Sequence, residues 1–98
     1  MSEMHIVVGL QAKAGKEDEL RRDLAMLVKP SRGEDGNIRY DLFEDQDEPG
    51  HFVFVETWAS AEARAIHREQ GRHIQHFHAN GVANVEKTEF ARILKRVV

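Results

Sequence analysis

The chain has 98 residues, 41% of them hydrophobic and 32% charged, and its 14 Lys+Arg against 17 Asp+Glu leave a formal charge of −3. That length makes one domain, residues 1–98, and the interspersed signs leave no basic footprint for nucleic acid or anionic lipid. Zero cysteines exclude a disulfide scaffold, thiolate metal sites and thiol nucleophiles. No apolar run approaches membrane-spanning length and no charged leader precedes an apolar core, so a cytoplasmic protein without a membrane partner is expected.

His5 to Ala12 is short and β-branched, which suits a buried strand closed by Gly15. From Lys16 the period becomes helical: Leu20, Leu24, Leu27 and Val28 share a face, Glu17, Asp18 and Glu19 suit the positive end of the dipole, and Pro30 and Gly33 mark the end. Asn37 to Asp45 alternates, Asp45 to Gly50 is a polar loop with a Pro-Gly turn, and Phe52 to Trp58 returns as the antiparallel partner of the preceding strand. Ser60 is a candidate N-cap for a helix whose stripe carries Ala63, Ile66, His67 and Gln70, with a break expected at Gly71. A second helical piece starts at Arg72, Asn80-Gly81 is a turn, and Thr88 to Val98 reads as a last strand.

The order strand, helix, strand, strand, helix, strand predicts a ferredoxin-like α+β fold, with a four-stranded antiparallel sheet and helices on one face. Its strands are apolar on both sides: Ile6, Val8 and Leu10 alternate with Val7, and Phe52 and Phe54 alternate with Val53 and Val55. A two-layer monomer covers only one sheet face, so a homodimer packed sheet to sheet is expected.

Six histidines are many for this length, and four of them, His67, His73, His76 and His78, fall close together. His67 shares a stripe with Ala63, Ile66 and Ile74 and should face the interior, where imidazole suits proton transfer near neutral pH. His73 and Phe77 are one turn apart, whereas at least one of His76 and His78 should be solvated. A metal site is not expected, because helical ligand pairs favour i,i+4 spacing and no Cys completes a set. Glu56 lies among apolar strand residues and needs an ion-pair partner such as Arg39 or Arg92. Trp58 offers either a core aromatic or a flat wall with an N–H donor, and Tyr40 needs a partner for its hydroxyl. No nucleophile elbow, phosphate loop or dinucleotide fingerprint is present.

Taken in order, several segments resemble the antibiotic biosynthesis monooxygenase family over nearly the whole chain. They are Ala14-Gly15-Lys16-Glu17-Asp18-Glu19-Leu20, Ser31 to Asp41, the Asp45 to Pro49 loop, Phe52 to Trp58, Glu62 to His67, and His73 with Phe77. The resemblance implies a dimeric α+β barrel that inserts oxygen from O2 into a small aromatic substrate, a hydroquinone or polyphenol, without flavin, haem or metal. Carried over by position, it implies Trp58, His67 and His73 as catalytic residues, with Tyr40, Phe54 and Phe77 lining the substrate cavity. One residue more than the family's usual spacing separates His67 from His73, which places a kink near Gly71 and leaves the convergence of the two rings open. Two other functions fit the same pattern: an isomerase or other proton-transfer enzyme using Arg64, His73 and His76, and a non-catalytic dimeric binding module.

Overall fold

The structure, a computed structural model, describes residues 2–98. Four strands, β1 (Met4–Ala12), β2 (Asn37–Glu44), β3 (His51–Trp58) and β4 (Val85–Leu94), form one antiparallel sheet in the order β2-β3-β1-β4. This is the ferredoxin-like α+β arrangement read from the sequence. The helices are α1 (Glu17–Arg32), α2 (Ala61–Gln70) and α3 (Arg72–His76), followed by a wider π-type turn at Phe77–Gly81 and a 3-10 turn at Val82–Asn84. No helix among the described residues is long and apolar enough to cross a membrane.

Leu20, Leu24, Leu27 and Ser31 are the buried residues of α1, so its apolar stripe ends on a serine. The three leucines pack with Ile6, Ala12, Tyr40, Phe52, Phe54, Trp58 and Ile74 into one core on the helical side of the sheet. Ser60 caps α2 as expected, its hydroxyl accepting the Ala63 N–H at 3.1 Å. The helix turns Ala63 and His67 inward but leaves Ile66 54% exposed, so Ile66 does not share the buried face assigned to it.

β4 is displaced from its expected span of Thr88 to Val98. It starts at Val85, opposite Ala12, and its pairing ends at Leu94 opposite His5. β1 begins at Met4, the position opposite Lys95, so residues 96–98 have no strand left to pair with, whatever their β propensity.

On the other face of the sheet Val7, Val53 and Val55 are partly exposed. The Phe90 ring lies across Gly9, so close that a Cβ there would stand 2.4 Å from Phe90 Cε2.

The β2 approach is set by Gly36, with φ +83° and space for a Cβ only 2.6 Å from that of Ala63. Both the left-handed backbone and the contact with α2 demand glycine. Gly36→Ala is expected to destabilise the protein by about 1–3 kcal/mol from the backbone alone, with the collision adding to it. Urea denaturation checks this, and an unchanged midpoint would contradict it.

Candidate active site

Between the helices and the sheet lies a cavity of about 450 Å³, walled by residues that include Ile6, Val8, Tyr40, Phe54, His67 and Phe77. Strand alternation explains the first four: even-numbered positions of β1, β2 and β3 stand in register on the helical side, with Tyr40 beside Glu56 and Leu42 beside Phe54. Arg64, Arg68 and His78 line it too.

His67 is only 3% exposed and packs against three aromatic or imidazole rings. Its centroid lies 4.7 Å from Trp58, 5.4 Å from Tyr40 and 5.7 Å from His73. Nδ1 is 2.5 Å from Glu34 Oε1. A carboxylate oxygen accepts, so in the neutral ring the proton belongs on Nδ1 and the lone pair on Nε2. Among the described residues no fully buried side-chain nitrogen or oxygen lacks a hydrogen-bond partner. Nε2 has no hydrogen-bond partner among the described residues, so it meets accessible space, and the space that His67 lines is the large cavity.

Burial holds the His67 pKa below its ordinary 6.5, against the opposing pull of the Glu34 hydrogen bond and charge. The neutral ring therefore prevails at pH 7. The unfolded chain takes up its proton first on acidification, so His67 contributes stability above about pH 6.5 that is lost as pH falls through the folded value. Tyr40 is shifted the other way: burial first, and then the Glu56 charge, raise its pKa, with the Ser31 hydrogen bond opposing. Its phenol is thus a donor at neutral pH and not a base.

The extra residue before His73 does break the helix. Gly71 is extended at φ −66° and ψ 118°, and α3 restarts beyond it. The rings nevertheless converge, because both turn toward Glu34: His73 Nε2 lies 3.3 Å from Glu34 Oε1 and 2.9 Å from Ser31 Oγ. His73 does not wall the large cavity. It lines a second one of about 220 Å³ with Asp23, Met26, His76 and Phe77, and Phe77 alone of the predicted residues faces both. His76 and His78 are both exposed.

Trp58 stands behind the wall and not on it. It is 0% exposed, and its indole N–H donates to Glu56 Oε1 at 2.9 Å, which removes it as a free donor to a ligand. The same oxygen accepts from Arg64 Nε at 2.9 Å. Arg64 is therefore the partner of Glu56, in place of the expected Arg39 or Arg92. Those two align with Thr57 and Val7, whose side chains alternate to the opposite face.

Sequence reasoning did not find Ser31 and Glu34. Ser31 was legible in principle, since it continues the Leu20, Leu24, Leu27 stripe at helical spacing. Glu34 sits in a turn without periodicity, and only the docking of α2 against Gly36 brings His67 to it.

The sequence profile described as "Antibiotic biosynthesis monooxygenase" matches residues 4–80. A Bacillus subtilis protein named "Putative monooxygenase YcnE" is 39% identical over 72 residues, 74% of this chain and 75% of that protein. Among solved structures, PA3566 from Pseudomonas aeruginosa superposes with a TM-score of 0.92 at 26% identity, over 100% of this chain and 97% of that one. Rv0793 from Mycobacterium tuberculosis gives 0.88 at 25% identity, over 99% and 97%. The family match spans β1 to β3 and the helices, all the cavity's elements but β4, and on that ground the chain belongs to the antibiotic biosynthesis monooxygenase family.

Proposed function

We propose that this protein is a cofactor-independent monooxygenase that oxidises a hydroquinone or related polyphenol with O2 in the 450 Å³ cavity. The observation that carries the reading is His67: a neutral imidazole whose Nδ1–H is anchored on Glu34 and whose Nε2 has no hydrogen-bond partner among the described residues, set beside Tyr40, Phe54 and Phe77.

His67 Nε2 accepts the phenolic proton, and Glu34 steadies the imidazolium that forms. The phenolate is electron-rich enough to give one electron to triplet O2, and recombination of the radical pair forms a carbon–oxygen bond. One oxygen atom stays on the ring and the other leaves as water. The hydroquinone supplies all four electrons and becomes a hydroxylated quinone, so no external reductant enters. Tyr40 lines the cavity with a protonated phenol, and Arg64, whose Nε is held by Glu56, brings positive charge to the developing anion. Trp58 and His73 act through His67 and Glu34 by holding them in place.

Oxygen uptake with a panel of hydroquinones in chelator-treated buffer is the direct test. A rate no faster than autoxidation for every compound would sink the proposal. Arg64, Arg68 and His78 in the wall favour a second reading, proton transfer on a small anionic metabolite, and turnover without oxygen would select it.

The acid limb of kcat/KM is expected below pH 6.5, following the depressed His67 pKa. Glu34→Gln removes an interaction that raises that pKa, so the limb should move to lower pH while kcat falls. A limb moving upward, read from pH–rate profiles, contradicts the pairing.

The functional unit is a cytoplasmic homodimer packed through the sheet, supported by the partly exposed Val7, Val53 and Val55 on the face without helices. Val55→Asp is expected to yield a monomer in sedimentation equilibrium, and an unchanged mass would place the interface elsewhere.

A further inference from the structure

Glu34, His67 and His73 each present one donor atom, and the three atoms lie within 4.8 Å of one another. We propose that they form a binding site for a divalent transition metal of the zinc class, and that an ion there turns His67 from a proton acceptor into a donor. Only the consequence for turnover rests on the oxidation proposed above; the binding does not.

Two imidazole nitrogens and one carboxylate oxygen are a borderline-soft donor set that suits Zn²⁺ and disfavours Mg²⁺ or Ca²⁺, which take oxygen ligands. Bonds of about 2.0–2.1 Å in a tetrahedron place neighbouring ligand atoms roughly 3.3 Å apart. His73 Nε2 and Glu34 Oε1 already stand at 3.3 Å. His67 Nδ1 and the same oxygen, at 2.5 Å, are drawn together by the shared proton and must open when a metal replaces it.

Gly71 leaves no side chain to resist that opening. A Cβ there would lie 3.2 Å from His73 Cε1 and 3.3 Å from Glu34 Oε2. His73 also lines the second cavity, so an ion can arrive without crossing the first. Neither His67 Nε2 nor His73 Nδ1 is buttressed by a hydrogen bond among the described residues, and that lack of outer-shell support places the affinity below that of structural zinc centres.

Coordination through Nδ1 has a chemical consequence. A neutral imidazole bound at one nitrogen carries its proton on the other, so His67 Nε2 would present N–H to the large cavity. The lone pair that would take a phenolic proton is then gone.

Titration of the chelator-treated full chain with ZnCl2 by calorimetry at pH 7, with MgCl2 as control, tests the site. One Zn²⁺ per chain is expected and no Mg²⁺. Glu34→Gln and His73→Gln should each weaken Zn²⁺ at least about tenfold, since even outer-shell losses cost that much. Circular dichroism of both variants confirms that they fold. His76→Gln and His78→Gln should bind as the wild type does. In long-range 1H–15N spectra the His67 proton should move from Nδ1 to Nε2 on adding Zn²⁺. No binding, wild-type affinity in either ligand variant, loss in His76→Gln or His78→Gln, or a proton retained on Nδ1 overturns the proposal. Because no substrate is present, failure of the oxidation assay does not alter these readouts.

Discussion

His67→Gln is expected to lower kcat/KM for hydroquinone oxidation by about 10²–10⁴, the usual contribution of a positioned general base. Glutamine keeps a polar side chain of similar reach, so it can still meet Glu34, but it offers no basic nitrogen to the cavity. Substrate affinity, read as a ligand-induced thermal shift, should change little, because Tyr40, Phe54 and Phe77 still shape the walls. A fall in rate at constant affinity is the signature of a lost proton acceptor. His73→Gln should have a smaller effect, since His73 lies outside the large cavity and meets the reaction through Glu34. Equal rates in wild type and His67→Gln would remove His67 from the chemistry.

Arg64→Met is expected to cost about 3–5 kcal/mol of folding stability, the range found when one partner of a buried ion pair is removed. Glu56 is 3% exposed and sits at the centre of the sheet on its helical side, between Ile6 and Tyr40. Without Arg64, its charge would rest on the Trp58 indole N–H alone. Methionine retains much of the arginine stem, which isolates the charge from the packing. The double variant Arg64→Met, Glu56→Gln should recover part of the loss, because a neutral amide is cheaper to bury unpaired than a carboxylate. Equilibrium urea unfolding of the wild type and the two variants checks both statements. A double variant no better than Arg64→Met would show that packing and not charge carries the effect.

Most of the fold was legible in the residues. The change of period at Lys16, the alternation through Asn37–Glu44 and the cap at Ser60 are local signals, and local hydrogen bonding obeys them. The end of β4 was not legible, because Val97 and Val98 are good strand residues by themselves and lack only a partner strand. Within the site the division is similar. His67 on an inward stripe, and Tyr40 and Phe54 on the inward parity of their strands, follow from helix and strand periods. The strand parity that sets Glu56 facing inward also rules out Arg39 and Arg92 as its partners, once the strand order is known.

Thus the sequence by itself determined the element order, most of the inward residues and the family. Tertiary structure alone decided which polar groups meet. Ser31 at the end of α1, Glu34 in a turn, His67 on α2 and His73 on α3 come together only because α2 packs on Gly36 and the chain breaks at Gly71. Periodicity assigns each side chain a direction relative to its own helix or strand. Contact between side chains on different elements depends on distances through space, which a local period does not encode.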